Sequence, residues 1–191
     1  MNRRVFIRAA AVSGIGSSIR LRAWTEERTG KLKTAKVPSG HDRLNEQHNI
    51  GVSDTTFKVL TDETGGNVFV MEQSNHKKGG PPKHLHYGEE EYFYVIDGNY
   101  VAEVGTERFE LGRGDSLLAP RKVPHAWAFV GDDKGRLLIS FAPANKMEAY
   151  FRLINQIRAP HTYADSKDKQ QADLMRQYGM ELIGPPLKIA S

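Results

Sequence analysis

Two histidines one residue apart, His84 and His86, stand in the stretch KHLHYGEEEYFYVIDG at residues 83–98. Three glutamates, Glu89, Glu90 and Glu91, follow. Alternate side chains of a β-strand share a face, so the two imidazoles project together. Two adjacent imidazoles are half of a transition-metal site. The open question is which carboxylate joins them. From residue 91 onward Glu91, Phe93 and Val95 share one face, and Tyr92, Tyr94 and Ile96 the other. Both faces are apolar, which predicts a central strand covered on both sides. Glu91 then points inward, where an unpaired carboxylate is costly and a metal ion is a partner. Glu89 and Glu90 precede the run, in the turn after Tyr87-Gly88, and read as solvated rim residues.

The elements that must position these groups are short. β-type runs occupy 55–61, 67–74, 91–97, 99–105, 107–111, 115–120, 125–130 and 136–143, with Gly-, Asn- and Asp-rich turns between several of them. Asp97-Gly98 between two of these runs predicts a tight hairpin. Regularly spaced short strands without interleaved helices predict an all-β antiparallel sandwich or barrel over 51–143. Beyond Pro143 the period changes. Met147, Tyr150, Phe151, Ile154 and Ile157 fall on one stripe, predicting a helix over 145–157 that packs on the barrel wall or covers one end. A weaker helix is predicted over 164–180, ended by Gly179. Residues 144–191 are thus a helical extension, and 24–50 a polar arm or linker.

The chain has 191 residues and no cysteine, so disulfides, thiolate ligands and a cysteine nucleophile are excluded. Any metal must be held by nitrogen and oxygen. The net charge of +4 is misleading as a nucleic-acid signal. Residues 1–36 hold nine Lys/Arg against two Asp/Glu, which leaves 18 against 21 in residues 37–191. The globular part has no basic stripe, and nucleic-acid binding is set aside. The opening MNRRVFIRAAAVSGIGSS resembles a twin-arginine export leader over residues 1–23: Arg3-Arg4, then Phe6 and Ile7, then a mild apolar run too short to span a bilayer. The resemblance implies an exported, periplasmic or otherwise extracytoplasmic protein; a disordered basic tail, and with it a cytoplasmic protein, is the alternative.

Residues 80–98 resemble the first sequence motif of the cupin superfamily: a glycine, His-x-His at His84 and His86, a glutamate, then six residues to Gly98. Six residues separate Glu91 from Gly98 and seven separate Glu90, so the spacing also selects Glu91. The stretch GDSLLAPRKVPHAWAF at 114–129 is similar to the second motif and implies His125 as a further ligand. It departs from the pattern at Lys122, where the family usually has Gly, and at Phe129, where Asn is common. The resemblance implies a double-stranded β-helix, or jelly-roll, barrel and a metal held by His84, His86, Glu91 and His125.

Three neutral imidazoles and one carboxylate leave a divalent ion with a net charge of about +1 and one or two open positions. Such a set suits Fe, Mn, Ni, Co, Cu or Zn. The C-terminal stretches 141–154 and 178–187 are similar to the ends of small quercetin 2,3-dioxygenase-like cupins. That likeness implies a dioxygenase acting with O2 on an aromatic or enolic small molecule, with Glu91 also serving as a base. By alternation Phe93 lies with Glu91, Trp127 with His125, and Phe69, Met71 and Gln73 share a face; these are the expected pocket walls. A Lewis-acid isomerase or lyase and a non-catalytic binding module are the alternatives. The strand at 91–97 and the arm make a homodimer an expectation.

Overall fold

The computed structural model describes residues 36–157 and 169–189. The expected leader lies outside the described residues. In chain order the elements are β1 (His48–Ile50), β2 (Ser53–Val59), β3 (Phe69–Asn75), β4 (Pro82–His86), β5 (Glu90–Asp97), β6 (Tyr100–Val104), β7 (Glu107–Leu111), β8 (Ser116–Ala119), β9 (His125–Phe129) and β10 (Gly135–Ala142). Helix α1 (Met147–Ile157), helix α2 (Lys169–Gln177) and β11 (Met180–Pro186) follow.

Two antiparallel sheets carry the fold. One runs β1-β2-β3-β10-β5-β8 and the other β11-β4-β9-β6-β7. Strict alternation builds the inner faces: β10 alternates buried and half-buried residues, bringing Leu137, Ile139 and Phe141 inside. Phe57, Phe69, Phe93, Phe129, Tyr100 and Trp127 fill the space between the sheets. Phe69 packs on Phe57, Phe141 and Phe151 at ring-centroid distances of 5.0, 6.0 and 6.1 Å. Such aromatic pairs add to the stabilisation from area burial alone. Helix α1 buries Met147, Tyr150 and Phe151, and so packs its apolar stripe on the barrel as the spacing predicts. No helix among the described residues is long and apolar enough to cross a membrane.

Four expectations are corrected. Asp97-Gly98 makes no hairpin, because β5 and β6 belong to different sheets. The chain turns a corner there. Gly98 has φ +86°, and an added Cβ would stand 2.8 Å from the Cα of Gly135, so both conformation and space require glycine. Strand β5 lies inside its sheet, between β10 and the edge strand β8, but is covered on one face only: Tyr92 and Tyr94 are 38% and 39% exposed. Their rings keep the polar hydroxyl in reach of water, which makes tyrosine tolerable on an open face.

The arm is no linker over its final part. Asp42 is buried and accepts the N–H groups of Leu44, Glu46 and Phe57 at 2.8, 3.2 and 2.6 Å. His48 stacks on Phe57 at 4.1 Å, and Glu46 pairs with Arg152 of α1 at 2.5 Å. The group Asp42, Glu46 and His48 therefore ties this segment to β2 and α1 through donors already in place. Finally, the C-terminal extension is not wholly helical. After Gly179, at φ +84°, the chain forms β11 and pairs with β4, with Leu182 opposite His84.

Candidate metal centre

Local sequence sets the position of β4. Gly79 exchanges two backbone hydrogen bonds with Phe129 at 3.0 and 2.9 Å. Gly80 then passes so close to β9 that an added Cβ would lie 1.8 Å from the carbonyl oxygen of Trp127. Pro81 and Pro82 stiffen the approach. The strand enters with His84 directly opposite His125 of β9. Leu85 points away from both, so His84 and His86 share the inner face. Glu91 reaches the same point from the other sheet, where it pairs with Phe141 on one side and Ala119 on the other.

His84, His86, Glu91 and His125 are all buried and offer ligand atoms within 4.8 Å of one another. Glu91 Oε2 stands 2.8 Å from His125 Nε2, 3.0 Å from His86 Nε2 and 3.9 Å from His84 Nε2. The outer ring nitrogens are oriented from behind. His84 Nδ1–H donates to the Pro82 carbonyl at 2.8 Å, and His125 Nδ1–H donates to the Val123 carbonyl at 2.9 Å. In a neutral ring this leaves Nε2 as a lone pair, which faces a carboxylate oxygen across less than 4 Å. Two acceptors so placed need a proton or a metal ion between them. Ligand atoms each about 2.1 Å from one ion, at right angles, stand about 3.0 Å apart. The donor set and its spacing therefore fit a divalent metal.

Without a metal, His84, His86 and Glu91 are shifted in different directions. Burial, together with the charges that neighbouring His125 and His86 can carry, lowers His84 to about 3, so its ring is a neutral donor. Burial also pushes His86 down, but the carboxylates of Glu89 and Glu91 on its two nitrogens overcome this and raise it to about 9. Burial pushes Glu91 up, yet hydrogen bonds from His125 and His86 hold its carboxyl well below the usual range.

The two remaining glutamates separate sharply. Glu90 sits on the surface in an ion pair with Arg121, on the rim where the sequence places it. Glu89 does not: it is 2% exposed, with Oε2 at 3.7 Å from His86 Nδ1. Glu89 lies before β5, where no strand period extends to signal its burial. Lys122 is also informative. The turn usually made by glycine is kept, with Lys122 at φ +65° and its N–H donating to the His86 carbonyl at 2.6 Å.

A cavity of about 50 Å3 opens beside His84, His86 and Glu91. Met71, Gln73 and Trp127 line it together with Ile139 and Phe141, while Met147 and Phe151 of α1 and Met175 of α2 line it as well. Phe69 and Phe93, expected in the wall, are core residues instead. Phe69 is enclosed by Phe57, Phe141 and Phe151, and Phe93 packs edge-on to His125 at 6.3 Å. Gln73 Oε1 is buried without a hydrogen-bond partner among the described residues.

Two facing antiparallel sheets with an inward His, His, Glu and His group define a jelly-roll barrel able to hold a divalent metal. Residues 71–141 match the family model described as Cupin domain. This stretch, from β3 to β10, is therefore a cupin domain. Among curated proteins it is 32% identical over 60 residues to an uncharacterized protein of Methanocaldococcus jannaschii, covering 31% of this chain and 48% of that one. It is 30% identical over 61 residues to polyketide synthase CurC of Streptomyces cyaneus, covering 32% and 40%. The chain spans about half the length, or less, of these relatives. Among solved structures it is similar to KdgF from a Halomonas species, with a TM-score of 0.49 at 16% identity over 58% of this chain and 94% of that one. It is similar also to an RmlC-like cupin from Shewanella frigidimarina, with a TM-score of 0.49 at 20% identity over 61% and 98%.

Proposed function

We propose that this protein is a metal-dependent enzyme in which His84, His86, His125 and Glu91 hold one divalent transition metal beside an apolar pocket. The observation that carries this reading is the convergence of three imidazoles and one carboxylate within 4.8 Å, all buried. The metal, when bound, supplies a Lewis acid with positions open to substrate, water or O2. The chain's residues have separate tasks. His84, His86 and His125 each give the metal a ring nitrogen. Glu91 offsets one positive charge and, as a base, takes a proton from the substrate. Met71, Trp127, Ile139 and Phe141 keep water out, and Gln73 Oε1 accepts a hydrogen bond from a substrate hydroxyl.

The reaction we favour is dioxygenase cleavage of a small enolic or aromatic compound, in keeping with the quercetinase-like C-terminal stretches. The cavity narrows the substrate. Its 50 Å3 is room for a few waters at most, so a compound of few heavy atoms suits it. The same small cavity supports a second reading, a Lewis-acid isomerase or lyase acting on a small hydroxy or keto compound. The test is O2 uptake by protein loaded in turn with Fe, Mn, Ni, Co and Cu, given small enediols and flavonols. We expect uptake matched to substrate loss. Substrate conversion without O2 uptake assigns the Lewis-acid reading, and a changed metal spectrum without any product assigns a binding module.

Two further readings are proposals of the same standing. Export by the twin-arginine route is supported by Arg3-Arg4, and replacing both with Lys is expected to retain the protein in the cytoplasm. A homodimer is supported by the exposed apolar strip of Tyr92, Tyr94 and Leu118, with Tyr92 opposite Leu118 in register. Monomer mass by light scattering contradicts it.

A further inference from the structure

Glu89 has no place in the ligand set, yet it is among the most deeply buried charges of the molecule, at 2% exposure. A buried carboxylate is costly unless its lone pairs are taken. Its own loop gives it the Gly88 N–H at 3.3 Å, and the Asn145 side chain, from the connection between β10 and α1, donates to it as well. On the other side lies His86. The two nitrogens of that ring point in opposite directions, Nε2 to Glu91 at 3.0 Å and Nδ1 to Glu89 at 3.7 Å. His86 Nδ1 is buried and has no hydrogen-bond partner among the described residues.

The other two histidines show what is missing. Each of them sends Nδ1–H to the backbone carbonyl two residues back. His86 has no such contact, and Glu89 Oε2 stands on its Nδ1 side. A metal on Nε2 fixes the proton on Nδ1, and a buried N–H without an acceptor is expensive. A shift of less than an ångström closes the gap to Glu89.

We propose that Glu89 is a positioning residue whose carboxylate accepts the Nδ1–H of His86 and holds that ring with Nε2 toward the metal. The proposal rests on the metal reading above. It also completes the charge balance. A divalent ion with Glu91 alone leaves about +1 in a buried site, and Glu89 brings the group to neutrality, which lowers the cost of burying it. Glu89 itself is no ligand, since it lies behind the ring, on the side away from Glu91.

The experiment measures Co2+ affinity and the visible Co2+ spectrum of full-length wild type, Glu89→Gln, Glu89→Ala and Glu90→Gln. Nitrogen-15 NMR of the histidine rings in Zn2+-loaded protein reports the Nδ1–H of His86. We expect Glu89→Ala to weaken Co2+ about 10- to 100-fold, the range for removing a carboxylate behind a metal-bound histidine. Glu89→Gln, which keeps an acceptor oxygen and the same shape, recovers part of the loss. Both change the Co2+ spectrum and the His86 Nδ1–H signal, and Glu90→Gln changes neither. Affinities of both Glu89 variants within about twofold of wild type, or equal loss in the two, overturn the proposal. Should Glu89→Ala fail to fold, Glu89→Gln alone decides through the spectrum and the His86 signal. Failure of the wild type to bind Co2+ sinks the metal reading instead, so the two outcomes are distinct.

Discussion

His84 and His125 are direct cross-strand partners on β4 and β9, with ring centroids 4.7 Å apart. The two motifs, far apart in sequence, therefore meet across one strand pair. The carboxylate comes from the opposite sheet: Glu91 on β5 closes to 2.8 Å from His125 Nε2. A site built across the core in this way depends on the packing of both sheets.

The first prediction ranks the three glutamates. Glu91→Gln is expected to weaken metal binding by more than about 100-fold, beyond what an outer partner costs. Glu90→Gln, which breaks only an exposed pair with Arg121, is expected to leave it unchanged. Competition with a chromophoric chelator measures both. Equal effects refute the ligand assignment.

The pH dependence of metal-free protein has a definite sign. His86 is raised to about 9 from 6.5, so its contribution is full below pH 6.5 and is lost as pH climbs through 9. His84 is lowered to about 3, so it costs stability as pH falls below 6.5. Glu91, held low, loses its contribution only in stronger acid. Stability of the chelator-treated protein should therefore peak near pH 6.5 and fall toward pH 9 by up to about 3 kcal/mol. Metal on His86 holds the ring neutral and should remove that alkaline loss. Melting curves across pH, with and without metal, test this; a flat metal-free profile from pH 6.5 to 9 contradicts it.

Gly80→Ala should be strongly destabilising. The new Cβ would meet a backbone carbonyl at 1.8 Å, not the end of a flexible side chain. We expect a loss of about 3 kcal/mol, the upper end of overpacking costs, together with weaker metal binding because β4 is displaced. Gly112→Ala, whose Cβ would meet nothing closer than 3.8 Å, is the control. Urea unfolding of the pair decides.

Lys122→Gly should act in the opposite direction. Lysine at φ +65° carries the steric cost of the left-handed region, about 1–2 kcal/mol, part of which glycine returns as chain entropy in the unfolded state. A net gain of about 1 kcal/mol in urea unfolding is expected, with metal affinity unchanged. A loss of stability would mean that the side chain, not the turn, is what matters there.

Much of this was legible in the residues. The period-two pattern gives His84, His86 and Glu91 one inward face, and the stripe from Met147 gives a helix whose apolar side packs on the barrel. What failed did so for physical reasons. Asp97-Gly98 carries a turn signal that is local, and a hairpin and a corner between sheets use the same left-handed glycine. The tyrosines of β5 are apolar enough to read as core and polar enough to face water. Phe69 and Phe93 do face inward, but alternation cannot say which inward residues meet the cavity and which meet each other. Glu89 had no signal at all, because it lies in the short connection between β4 and β5, outside any strand period.

The most direct measurement is the metal content of protein purified from its native compartment, by mass spectrometry of the elements. The account predicts one transition-metal ion per chain, lost when His84 and His125 are both replaced by Ala in a protein that keeps its β-sheet circular dichroism. Protein that carries no metal and takes up none of Mn, Fe, Co, Ni, Cu or Zn contradicts it.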